Sequence, residues 1–296
     1  MMRQDSLFPV SEPPAKDGPV NVASVPQRSP FRYPGGKTWL VPVFRRWMAS
    51  LPATPELLVE PFAGGGIISL TTAFEQLAEH TILVELDAQV ASVWQSILSE
   101  DAEWLAKRIL GFDLSSATLH SELDKHPRST RERAFHTILR NRTTRGGILA
   151  EGAGFIKVGE GGKGIASRWY PGTLARRIRD IAAVSHRLTF VQGDAFNEIA
   201  KHRENPDAVF FIDPPYTAGG KSAGSRLYAH SQIGHERLFE ECEQLSGEFL
   251  MTYDHTPEVL ALARRHAFAT RAIAMKNTHH AEMTELLISR NLDWLD

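Results

Sequence analysis

The chain of 296 residues has one cysteine, Cys242, so no internal disulfide can form. Such usage suits a reducing compartment. Cys242 lies in a helical-looking stretch, where a packed and inert thiol is expected. No apolar run approaches the roughly 20 residues of a membrane-spanning helix, and the N-terminus lacks the apolar core of a signal peptide. A soluble, cytoplasmic protein is therefore expected, with no membrane partner. Internal repeats are absent too. His279-His280 has no companions at metal-ligand spacing, so no catalytic metal is expected. A strong excess of one charge sign is also missing, since the net charge is only −2. Total charge alone gives no sign of a polyanion partner.

The distribution of charge says more. From Lys125 to Arg187 there are fourteen Lys/Arg against four Asp/Glu, a local net of +10, which leaves −12 for the remainder. That asymmetry reads as a basic face for a polyanion on an acidic body. Apolar content of 42% and charged content of 23% are ordinary for a globular chain. Residues 1–28, rich in Pro, Ser and Asp without hydrophobic period, read as a disordered tail.

Around Val209-Phe210-Phe211-Ile212 the chain reads as a strand buried on both faces. Asp213-Pro214-Pro215-Tyr216 ends it, because two prolines cannot continue a ladder. A carboxylate, a fixed carbonyl and an aromatic ring thus fall just beyond a central strand, the edge where open α/β sheets bind ligands. An exocyclic amino group on a nucleobase is a poor nucleophile, its lone pair being delocalised into the ring. Acceptors at Asp213 and Pro214 on its two N–H bonds would return density to nitrogen, and Tyr216 would stack on the base. A plain strand-ending turn is the alternative for this tetrapeptide.

Leu57 to Phe62 reads as a short strand, followed by Ala63-Gly64-Gly65-Gly66 and an Ala-rich helix. Strand, glycine loop and helix form the first βα turn of a nucleotide-binding sheet, with the helix N-terminus favouring an anionic group. The next strand, Thr81 to Val84, delivers Glu85 at the separation expected for a carboxylate on ribose hydroxyls. Glycine spacing other than GxGxxG points to a smaller adenosine-containing ligand such as S-adenosylmethionine, with an NAD site still open. Asp194, after the strand Leu188–Val191, reads either as an acceptor for a cofactor adenine or as a helix N-cap. Lys37, after Pro34-Gly35-Gly36, reads as solvated surface or as a ligand contact.

Between about 101 and 187 the βα rhythm breaks. Asp87 to about Lys107 reads as one helix, Arg131–Arg142 as another, and Arg140 through Gly147 as a polar loop. Arg140, Asn141, Arg142 and Arg145 are of the types that read base edges or hold phosphates. Glu151–Gly164 reads as a mobile glycine-rich loop, and Thr217–Ser225 as a flexible one that closes over substrate. Two closing strands are expected at Thr270–Met275 and Glu285–Ser289.

Taken in order, Phe31-Arg32-Tyr33-Pro34-Gly35-Gly36-Lys37, Glu60-Pro61-Phe62-Ala63-Gly64-Gly65-Gly66, an insertion, and Asp213-Pro214-Pro215-Tyr216 resemble the Dam-type, alpha-group N6-adenine DNA methyltransferases. The likeness runs from about Ser29 to Leu292. It implies an α/β, Rossmann-like S-adenosylmethionine-dependent methyltransferase sheet of seven mostly parallel strands, the last antiparallel. A catalytic domain of 29–100 and 188–296 would carry a small, mostly helical DNA-recognition insert at 101–187. Methyl transfer to adenine N6 in duplex DNA after base flipping is implied, with N4-cytosine methylation or a non-catalytic DNA-binding protein as alternatives. Tyr33, Lys37, Pro61, Phe62, Gly64, Glu85, Asp194 and Asp213 would then bound the S-adenosylmethionine site, and Asp213, Pro214 and Tyr216 would hold the adenine. Tyr33 stands where many relatives carry tryptophan and Glu85 where many carry aspartate; both substitutions keep the chemistry. The expected partner is double-stranded DNA, met by a monomer at the nucleoid, and a cognate restriction endonuclease is left open.

Overall fold

The computed structural model describes residues 25–32, 36–150, 152–215, 234–276 and 282–296. Tyr33, Tyr216, the Thr217–Ser225 loop, His279-His280 and most of the expected tail lie outside the described residues.

Among the described residues seven strands make one sheet: β1 Leu57–Glu60, β2 His80–Glu85, β3 Leu188–Gln192, β4 Ala208–Ile212, β5 Phe249–Asp254, β6 Ala269–Lys276 and β7 Glu282–Ser289. Their spatial order is β3-β2-β1-β4-β5-β7-β6. β1 to β5 are mutually parallel, and β7 alone runs antiparallel, between β5 and β6. This is the Rossmann-like arrangement of seven strands, all but one parallel, that the resemblance implies. The chain moves outward from β1 through β2 to β3, then returns to the other side of β1 with β4. That reversal opens a crevice at the carboxyl ends of β1 and β4.

β4 shows why the apolar run folds as it does. Alternate side chains serve opposite faces. Val209 and Phe211 pack with Leu40, Phe44 and Trp47, whereas Phe210 and Ile212 pack with Leu238 and Phe239. Full burial of each phenylalanine contributes about 1.5–3 kcal/mol. The helices that cover these faces are α1 Val41–Ser50, α2 Ile67–Glu75, α3 Ala88–Ile97, α4 Ala102–Leu110, α5 Ser116–Leu123, α6 Thr130–Thr143, α7 Pro171–Ala183, α8 Ala195–His202, α9 His235–Glu243 and α10 Pro257–Arg265. α4 to α7 fill the region where the βα rhythm breaks, and α6, α7 and the segment between them carry the basic excess. Their Leu105, Ile109, Phe135, Ile138 and Ile178 share one apolar core with Trp94 and Ile97 of α3.

Two local expectations are corrected. The stretch Asp87–Lys107 is not one helix: it breaks after Ile97, where the Ser99 hydroxyl donates to the Ser96 carbonyl and accepts from Asp101 N–H. A side chain that satisfies backbone groups locally competes with the helix ladder. Conversely, Arg140-Asn141-Arg142 is not a loop but the last turn of α6, which runs on to Thr143. Cys242 is buried in α9, and burial pushes its thiol far up, so it is inert packing as expected.

Candidate active site

The chemistry gathers where β1, β4, β5 and β7 end or pass. Asp213 follows the last residue of β4. Its Oδ1 accepts from the Thr252 hydroxyl of β5 at 2.8 Å and lies 3.2 Å from Lys37 Nζ. Lys37 is 3% exposed and donates a second bond, 2.8 Å, to Glu285 Oε2 of β7. Burial alone would lower the Lys37 pKa, but the two carboxylates outweigh it and the pKa is raised. Glu285 responds in the opposite sense: desolvation raises it to about 7, with Lys37 opposing. Glu60, the final residue of β1, is wholly buried and accepts from both the backbone N–H and the hydroxyl of Ser69. Desolvation pushes it up to about 8, the Ser69 bonds oppose the rise, and Asp213 adds to it.

Next to this cluster lies the glycine turn. Gly66 caps the N-terminus of α2 with φ 62°, and a Cβ there would come within 2.8 Å of the Trp94 ring. Both facts require glycine. Trp94, read as core from sequence, also donates its indole N–H to the Gly64 carbonyl at 3.0 Å and so braces the turn. Glu85 ends β2, accepts from Asp87 N–H at 2.9 Å, and is pushed by burial to about 7. Asp194 is the N-cap of α8, its Oδ1 accepting from Phe196 N–H at 2.8 Å. Lys37, Pro61, Phe62, Gly64, Glu85, Asp194, Asp213 and Pro214 all line a single cavity of about 680 Å³. Tyr33 and Tyr216 fall outside the described residues.

A strap, residues 29–32, joins the glycine turn beside this cavity to α6 and α7. Ser29 Oγ donates to the Gly65 carbonyl at 2.5 Å, and Arg177 of α7 donates to the Ser29 carbonyl at 2.9 Å. Asn141 Oδ1 accepts from Arg32 N–H, while its amide nitrogen donates to the carbonyls of Arg32 and Gly147, all at 2.8 Å. Arg142 donates to the Pro30 carbonyl. Gly147 has φ 78° and approaches the Arg32 carbonyl so closely that a Cβ would sit 2.3 Å from it.

Two of the four basic-loop residues are thus not solvent-facing. Asn141 is 0% exposed with its whole amide satisfied inside the protein, so it is an anchor and has no edge left for a base. Arg142 is 5% exposed and faces the cavity rather than open solvent. Arg140 and Arg145 remain exposed. Three residues of the site escaped the sequence reading of its chemistry: Glu60, Thr252 and Glu285. The available signal was a charged or hydroxyl side chain within an otherwise apolar strand, as in Glu285-Leu286-Leu287-Ile288.

The family of D12 class N6 adenine-specific DNA methyltransferases matches the chain over residues 33–278. No curated protein matches it. Solved structures with a partial likeness include the rRNA methyltransferase AviRa from Streptomyces viridochromogenes, at 13% identity and TM-score 0.37, covering 86% of this chain and 85% of that one. An rRNA methylase from Streptococcus thermophilus gives 10% identity and TM-score 0.35 over 84% and 94%. Likenesses that distant carry no argument, and the family match together with the strand order decides the matter. The chain belongs to the D12 class N6 adenine-specific DNA methyltransferase family.

Proposed function

We infer that the protein moves a methyl group from S-adenosylmethionine to N6 of an adenine swung out of duplex DNA into the cavity above β4. One observation carries the reading. Asp213, fixed by Lys37 and Thr252, opens into the same cavity as the glycine turn.

The residues present fit that cofactor. Gly64 to Gly66 leave main chain approachable, Glu85 stands where ribose hydroxyls would donate, and the Asp213 carboxylate lines the same cavity as an anionic neighbour for a cation. When bound, S-adenosylmethionine supplies a methyl group already activated on a positively charged sulfur. Asp213 and the Pro214 carbonyl accept from the two N6–H bonds and hold the N6 lone pair away from the ring. Lys37 and Thr252 set the angle of the Asp213 carboxylate, which is also placed to take the proton that N6 sheds after alkylation. Pro61 and Phe62 line the cavity beside Glu60 and keep water from the reacting atoms. Tyr33 and Tyr216 are assigned as aromatic walls around cofactor and base. Extruding the adenine costs a few kcal/mol of stacking and pairing, and the cavity contacts offset it. Residues 101–187 form the DNA-recognition region, with Arg140 and Arg145 as its exposed cations.

The test is to treat unmethylated DNA with the protein, digest it to nucleosides and identify the modified one. N6-methyladenine is expected. Asp213→Ala should abolish transfer while DNA affinity stays within about twofold; undiminished methylation by that variant refutes the clamp.

A further inference from the structure

Four guanidinium groups converge on the cavity. Arg32 comes from the strap, Arg142 from α6, Arg168 from the segment before α7, and Arg177 from α7, and all four line the cavity. Among the described residues only Arg168 has an acidic partner, Glu160. Arg142 is 95% buried, being 5% exposed, yet its Nε finds no hydrogen-bond partner among the described residues; Arg32 Nη1 is buried and unmatched in the same way. Desolvation and its three arginine neighbours bring the Arg142 pKa down to about 9. A buried, unmatched cation is costly unless an anion arrives. Planar guanidinium forks at several angles suit the oxygens of a tetrahedral phosphate, which they bind bidentately.

We propose that Arg32, Arg142, Arg168 and Arg177 form an internal oxyanion site for a phosphodiester of the target DNA strand, next to the extruded adenosine. The proposal rests on the methyl-transfer reading and adds to it a place where backbone as well as base enters the protein. An oxyanion could also come from the cofactor's carboxylate. Two observations favour the phosphodiester. The residues assigned to the cofactor's hydroxyls and adenine, Glu85 at the end of β2 and Asp194 at the N-cap of α8, lie outside residues 101–187, whereas three of the four arginines lie within them. The cofactor's carboxylate also comes with an ammonium on the adjacent carbon, which four guanidiniums would repel, whereas a phosphodiester brings no cation.

The experiment compares the parent with Arg142→Gln, Arg168→Gln and Arg177→Gln. The DNA is an amplified and therefore methyl-free bacterial genome, sheared to short fragments. Equilibrium binding, KM for DNA and their salt dependence are measured, together with S-adenosylmethionine affinity by calorimetry without DNA. Each substitution should raise the DNA Kd and KM about tenfold and flatten the logarithmic salt slope by about 0.9, with cofactor affinity unchanged. Weaker cofactor binding with unaltered DNA binding would reassign the site to the carboxylate and overturn the proposal. Unchanged values in all three variants overturn it as well. Arg142 holds the strap, so its variant is judged only if it melts like the parent; Arg168→Gln removes a partly exposed cation and decides the point independently. A parent that binds DNA but transfers no methyl group defeats the methyl-transfer reading alone, and the binding arm still decides the cluster.

Discussion

The two charge clusters that line the cavity solve the problem of buried charge in opposite ways. Near Asp213, one lysine is answered by two carboxylates, at 2.8 and 3.2 Å, and the neighbouring Glu60 is held by Ser69. Around Arg142, three guanidiniums have no acid in ion-pair contact among the described residues. A self-matched cluster fixes geometry before any ligand arrives, which is what alignment of reacting atoms requires. An unmatched cluster stays unfavourable until its counter-ion comes, which is what selective capture requires. On the proposed reading, the matched cluster serves alignment and the unmatched one serves capture.

The contrast can be broken most forcefully at Lys37. Lys37→Met leaves Asp213 and Glu285 facing each other across an apolar gap. Removing one partner of a buried pair typically costs about 3–5 kcal/mol, so thermal melting should drop sharply and methyl transfer should fall at least about 100-fold. Adding Glu285→Gln should restore much of the stability without the activity. If the double variant melts no higher than the single, the pairing is not what matches this cluster.

Asn141→Ala removes two hydrogen bonds from the strap and one from Gly147, and leaves two main-chain groups of Arg32 unmatched. A loss of about 2–3 kcal/mol is expected in denaturant unfolding, with looser cofactor and DNA binding together, because the strap touches both the glycine turn and the arginines. An effect on one ligand only would show that the strap does not join them.

Glu60 sharpens the comparison through pH. Its pKa rises from an ordinary 4.5 to about 8 on folding. A raised carboxylate pKa means that the folded chain keeps a proton the unfolded chain has released. Stability is therefore full below about pH 4.5 and declines as pH climbs toward 8. Glu60→Gln should match the parent at pH 5 and exceed it at pH 8 by on the order of 2 kcal/mol. Equal melting curves at both pH values would mean the carboxyl is not desolvated.

The smallest effect belongs to the arginine cluster. Sulfate, a divalent oxyanion, should raise the melting point of the parent, by about 1.4 kcal/mol of stability at ten times its Kd. Arg177→Gln should lose that gain. Identical sulfate responses would place the unmatched cations outside reach of an anion.

Much of the catalytic sheet could be read from local signals. β4 announces itself as an unbroken apolar run ended by two prolines, and the β1 turn by three glycines. Those patterns are written in neighbouring residues and survive without tertiary knowledge. The Lys37–Asp213–Glu285 contact could not be read this way, because 248 positions separate Lys37 from Glu285 and only the sheet order brings them together. The error at Asn141 and Arg142 has a different origin. Polar residues beside glycines look like a solvent-facing loop, yet the helix continued and turned both inward against a strap 109 and 112 positions earlier. Side-chain type told what bonds they make, not with whom.

Asn141 grips the amide and carbonyl of residue 32, atoms that every amino acid but proline presents alike. A joint fastened in this manner is indifferent to the identity of the residue it clasps. The arginine now at that position can therefore be exchanged without loosening the grip of Asn141 on the strap.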